Sequence, residues 1–243
     1  MISTKQRLAQ RREAARARPV VDLSGHATSP LISQGPRPTC VPFALACAHE
    51  AELSFNRERF RAAIEPVWWS LDAKGQISPD GVLLHDAGAA LADVGQCHQR
   101  HWPYDDTLGY RSQPPPAAAG SPPWQLARLR SLTLAHDGVE DALEDLLVAG
   151  HPVVVVVEVT DPFLVPDPDG YVAVPDIRAP SGGYHAVTVL GAWTDPAHGR
   201  VLLVRNSWGE WWGAAGYCLL PIEYFVAYGV QAAYVEVIAN AHP

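Results

Sequence analysis

The chain of 243 residues carries a formal charge of -8, with 48% hydrophobic and 18% charged residues. That composition suits a globular protein with a sizeable core, and no apolar run approaches the roughly 20 residues a membrane-crossing helix requires. An acidic balance argues against nucleic acid as a partner, because binding it takes a basic surface that displaces counterions from phosphates; small or peptidic partners fit better.

The first 20 residues, 1–20, are basic and helix-prone, with Lys5, Arg7, Arg11, Arg12, Arg16 and Arg18, and lack an apolar stretch of signal-sequence length. A solvated terminal helix is the expectation, the alternative being an arm that meets an acidic regulatory partner. Residues 40–61 contain no glycine and place Phe43, Cys47 and Ala51 on one stripe, which predicts a helix. Pro42 is tolerated only in a first turn, so that helix must begin near Cys40, with Thr39 as its N-cap. A second helix is expected over 81–94. The stretch SQPPPAAAGSPP, 112–123, holds five prolines and reads as a semi-rigid connection. It divides the chain into a mainly helical half, 21–118, and a mainly β half, 119–243. In the second half 139–148 reads as a helix and PVVVVVEV, 152–159, as a buried β-branched strand. HAVTVLGAW, RVLLVRN, GYCLLP and AYVEVI follow as strands separated by turn residues, completing an α+β fold with a sheet or partial barrel.

The four cysteines, Cys40, Cys47, Cys97 and Cys218, are too few for a disulfide framework and form no CxxC pair, so they read as thiols of a reducing, cytoplasmic compartment. Cys47 lies seven residues after Cys40 and reads as core packing. Cys97, His98 and His101 lack a fourth ligand at a recognisable spacing, so no metal and no cofactor is expected. His49, His85, His136, His151 and His198 show no partner in sequence. The acidic segment 165–176 suggests a rim beside a cleft, because it leads into His185.

Three stretches carry the chemistry: QGPRPTC from Gln34 to Cys40, GGYHAVTVLG around His185, and VRNSWGEWWGAAGY around Asn206. Singly, each has an ordinary reading: a buried thiol, a satisfied histidine, a turn asparagine. Together and in order they resemble the papain family of cysteine peptidases, whose later residues follow the nucleophile by about 130–150 positions. Here His185 follows Cys40 by 145 residues and Asn206 by 166, the excess falling in a hairpin at 195–199.

The resemblance implies a two-lobe fold and a Cys40–His185–Asn206 triad that cuts peptide bonds in peptide or protein substrates through a thioester. The helix N-terminus and the His185 imidazolium would lower the Cys40 pKa. Asn206 would orient His185, Trp208 would shield that bond, and Gln34 with the Cys40 backbone N–H would hold the oxyanion. Gly81, Trp208 and Glu236 would serve substrate binding, with Glu236 selecting a basic side chain. The same machinery serves transpeptidases and amidases, and a fold that kept the residues but closed the cleft would be a binding module. The sequence also departs from the family pattern: Arg37 stands where relatives from oxidising compartments have a disulfide cysteine, Val41 replaces an aromatic, and only about 20 residues precede the mature-like start.

Overall fold

The computed structural model describes residues 18–56, 60–134, 138–176 and 182–238. The expected N-terminal helix up to residue 17 and His136 lie outside the described residues. One antiparallel sheet of seven strands organises the chain: β1 Val21–Asp22, β2 Ala127–Leu132, β3 Val153–Glu158, β4 Tyr184–Asp195, β5 Gly199–Arg205, β6 Tyr217–Pro221 and β7 Gly229–Val237. The order is β2-β7-β3-β4-β5-β6, with β1 paired to the far end of β4, and the path stays open. The helices are α1 Cys40–Asn56, α2 Glu65–Ala73, α3 Leu84–Asp93, α4 Val139–Val148, α5 Asp161–Leu164 and α6 Ile222–Tyr228.

Strand β3 explains why the sheet has two covered faces. Its five consecutive valines alternate sides, as side chains on a pleat must. Val153, Val155 and Val157 join Leu143 and Leu147 of α4 and Tyr224 and Phe225 of α6 in one core. Val154 faces Leu45 and Ala48 of α1 and Leu91 of α3 in the other. A continuous apolar run is what a strand between two helical layers needs.

Helix α1 has 17 residues and starts at Cys40, as Pro42 requires. Thr39 does not cap it through its side chain: the hydroxyl meets the Tyr104 Oη at 2.8 Å, and only the Thr39 carbonyl joins the helix, accepting from the Phe43 N–H at 3.0 Å. Of the expected extension to 61, residues 57–59 lie outside the described residues, and Phe60 and Arg61 are not helical.

The proline-rich stretch is held to the helical half. The Trp124 indole donates to the Ala119 carbonyl at 2.6 Å and lies 5.9 Å from the Trp102 ring, and Gln96 and Gln125 form a β-bridge. No helix among the described residues is long and apolar enough to cross a membrane.

Candidate active site

Cys40 opens α1, so its side chain sits where unpaired helix N–H groups concentrate positive potential. His185 is the second residue of β4, opposite Val157 of β3, and Asn206 directly follows β5. Pairing of β4 with β5 brings His185 and Asn206 together although they are 21 positions apart. The His185 Nε2 lies 2.6 Å from the Asn206 Oδ1.

The tautomer follows from a neighbour. The Ser207 backbone N–H donates to the same Asn206 oxygen at 2.7 Å, so that atom is the acceptor and His185 Nε2 must carry the proton. Nδ1 is then the free lone pair, available for a thiol proton. The Trp208 ring covers the pair, its centroid 4.4 Å from the imidazole, and Phe163 closes against both rings.

Cys40 and His185 line one cleft of about 670 Å³. The backbone N–H of Ala186, the residue after His185, bears directly on the Cys40 thiol, as do those of Val41 and Cys40 itself. These amides lower the thiol's pKa, but burial, the larger cause, raises it. Burial likewise pushes His185 down to about 4, with Asn206 opposing. Without a charge on His185, desolvation of the Cys40 thiol outweighs the helix amides, and a charge on either partner alone is disfavoured. Passing the proton from Cys40 to His185 charges both at once, so that each compensates the other.

Gln34 reaches the site through a β-bridge between Ser33 and Trp208. Its N–H donates to the Ser207 carbonyl at 2.7 Å, its Oε1 accepts from the Ser207 hydroxyl at 2.6 Å, and its Nε2 donates to the Arg37 carbonyl at 2.8 Å. One hydrogen of the amide is thus fixed and the second is left to aim.

Of the expected substrate contacts, Gly81 lines the cleft and Glu236 does not. Gly81 lies in the cleft wall with φ +109°, yet its N–H donates to the Ser78 carbonyl, and its carbonyl accepts from the Ser78 N–H and hydroxyl. Gly81 is buried and leaves no room for a side chain, since a Cβ would come 3.1 Å from the Pro38 carbonyl, and its N–H is already taken. Glu236 is not in the cleft at all. Strand β7 passes the cleft at Val230 and Gln231, and five residues of extended chain carry Glu236 roughly 17 Å beyond it. There it pairs with Arg130 of β2 at 2.7 Å and acts on Glu52, near the far end of α1.

Sequence reasoning missed Ser207, Phe163 and the strand residues Val156, Tyr184, Val230 and Gln231 that build the cleft beside His185. Position within Asn-Ser-Trp-Gly was the available signal for Ser207; Tyr184, Val230 and Gln231 carried only their place near strand starts, and Val156 carried none. Cys97 is buried against Ala63 and Trp102, whereas the His98 ring packs on Phe60 and His101. The described residues contain no group of three potential metal ligands. Cys47 packs with Ala51 and Leu190.

The profile of the papain family cysteine proteases matches residues 74–237, a span that contains His185 and Asn206 but not Cys40. An uncharacterized peptidase C1-like protein of Acanthamoeba polyphaga mimivirus is 28% identical over 205 residues, covering 79% of this chain and 64% of the viral protein. The chain thus spans less than two thirds of that relative's length. Among solved structures, xylellain, a cysteine protease from Xylella fastidiosa, superposes with a TM-score of 0.70 at 22% identity, covering 93% of this chain and 89% of the other. Bromelain from Ananas comosus, in complex with the E64 inhibitor, gives 0.68 at 17% identity, covering 90% and 99%.

Proposed function

The chain belongs to the papain family of cysteine proteases, and we propose that it hydrolyses peptide bonds through Cys40, His185 and Asn206 with Gln34 as an oxyanion donor. The observation that carries this reading is the His185–Asn206 bond, whose donor direction is set by the Ser207 N–H and which leaves Nδ1 unprotonated on a ring that lines the same cleft as Cys40.

The chemistry follows from the groups in place. His185 Nδ1 takes the Cys40 proton as the sulfur attacks the substrate carbonyl carbon, and a C–S bond forms. The developing oxyanion is met by the Cys40 backbone N–H and the free Gln34 hydrogen, each such donor being worth about 3 kcal/mol in the transition state. Collapse breaks the C–N bond, and the imidazolium delivers its proton to the departing amine. Water, deprotonated by the same nitrogen, then attacks the thioester and restores the thiol. Were an amine to replace that water, the product would be a new amide.

The substrate proposed is an extended peptide. The cleft walls present Ile77, Val82, Leu84, Val156 and Val230 with Asp80 and Asp86 among them, and Gln231 beside Val230 is uncharged. An apolar side chain is the expected occupant beside Val156 and Val230. A cytoplasmic location is proposed on the four free thiols.

The test is a peptide-library digest by the native chain and by Cys40→Ala. Cleavage by the native chain alone, after apolar residues at one fixed offset, is the expected result; equal cleavage by both would overturn the assignment of the nucleophile.

A further inference from the structure

Arg37 is fully buried, three residues before the nucleophile, and its guanidinium is held on every side. Nη1 and Nη2 meet the two oxygens of Glu65, itself buried at the start of α2. Nε donates to the Gly109 carbonyl at 3.0 Å, and Nη1 to that of Asp105 at 2.7 Å. Its central carbon lies over two rings, 4.8 Å from the Tyr104 centroid and 5.4 Å from that of Trp68. A flat cation with a rigid fork is suited to such a position, where a lysine would lose most of these contacts.

What this arrangement fixes is Gln34. The Tyr104 hydroxyl donates to the Gln34 carbonyl at 2.8 Å, and so the Thr39 hydroxyl must donate to Tyr104 in turn. The Arg37 carbonyl accepts from Gln34 Nε2. Because an amide plane has two N–H directions at a fixed angle, the bond to the Arg37 carbonyl determines where the second hydrogen points. Both anchors of Gln34 on this side are therefore set by one buried cation and the ring stacked on it.

We propose that Arg37, Glu65 and Tyr104 form a non-covalent clasp that positions the Gln34 side-chain amide toward the oxyanion. These are positioning residues, since none touches substrate, and the proposal rests on the peptidase reading above. Misplacement of a donor by about 1 Å is sufficient to cost on the order of 10²-fold in rate, whereas alkylation of a thiol develops no oxyanion and is indifferent to it.

That difference separates positioning from mere support of the fold. Tyr104→Phe removes one oxygen atom and keeps the stacked ring. It is expected to lower kcat on a leucyl-arginyl coumarin amide about tenfold, to leave the rate of Cys40 alkylation by iodoacetamide within twofold of the native rate, and to cost nothing further in a Gln34→Ala background. The double change Arg37→Met/Glu65→Leu replaces a buried ion pair by apolar side chains, an exchange that proteins often tolerate. It is expected to show the same split between turnover and alkylation; if it does not fold, Tyr104→Phe alone decides. Native turnover in Tyr104→Phe, equal losses of turnover and alkylation, or a full additional loss on top of Gln34→Ala would overturn the clasp. A native chain that neither turns over the amide nor alkylates at Cys40 would instead overturn the peptidase reading, and the clasp's role with it.

Discussion

His185 and Asn206 sit at the same end of neighbouring antiparallel strands, with Nε2 of the ring 2.6 Å from the amide oxygen and the backbone of Ser207 fixing which atom is which. The bond orients a ring whose other nitrogen does the chemistry. Asn206→Ala is therefore expected to lower kcat by about 10²-fold with little change in KM, the loss being general-base efficiency rather than binding. Steady-state kinetics on a peptide amide check this; a rise in KM at constant kcat would contradict it.

Trp208 keeps that bond dry. Its indole lies 4.4 Å from the imidazole, and burial is the leading cause that pushes His185 down to about 4. Trp208→Ala admits water, so the ring should titrate closer to its ordinary value near 6.5. NMR of the labelled histidine across pH 3.5 to 7.5 measures the shift. An unmoved titration would show that Trp208 is not the source of the desolvation.

Two buried histidines make the fold sensitive to acid. His49, bonded to Gln96 at 2.8 Å, is pushed down to about 4 by burial, as is His185. Between about 4 and 6.5 the unfolded chain binds protons that the folded chain refuses, so stability rises with pH across that window and is lost as pH falls through it. Glu50 and Glu52, whose carboxyls burial pushes up, act in the opposite sense. His49→Gln should flatten the slope of Tm against pH between 4 and 6.5 without altering the sign. A slope identical to the native one would remove His49 from the account.

Specificity should follow the cleft and not Glu236. Glu236→Gln, far along β7 and paired with Arg130, is expected to leave the preference between arginine and leucine side chains unchanged. Val230→Asp, on the cleft wall, should shift it toward arginine by roughly tenfold, an interaction of about 1.4 kcal/mol. Side-by-side kcat/KM values on the two peptides check both; a loss of arginine cleavage in Glu236→Gln would contradict the placement.

How much of this was legible in the sequence depended on how local the determining physics was. The start of α1 was legible because Pro42 is tolerated only in a first turn, and β3 because a run of valines suits a strand buried on both faces. Helix α2, EPVWWSLDA, was not: it is short, begins without a side-chain cap, and owes its place to Trp68 and Glu65 meeting a distant arginine. Strand β2 carries Arg128 and Arg130 on an edge, where alternation is weak and pairing with β7 decides. The site motifs named Gln34, Cys40, His185 and Asn206, since spacing and residue type suffice for that. They could not place Glu236, because counting along a sequence does not say how far a strand has run past the cleft, nor show how deeply the Cys40 thiol is buried.

The most direct test of the central claim is acid-quenched peptide mapping by mass spectrometry after brief exposure to carbobenzoxy-glycine p-nitrophenyl ester. The expected result is a single acyl adduct on Cys40 that disappears with time in the native chain and is absent from Cys40→Ala. An adduct on Cys47, Cys97 or Cys218 instead, or none on Cys40 while the ester is consumed, would contradict the assignment of Cys40 as the atom that attacks.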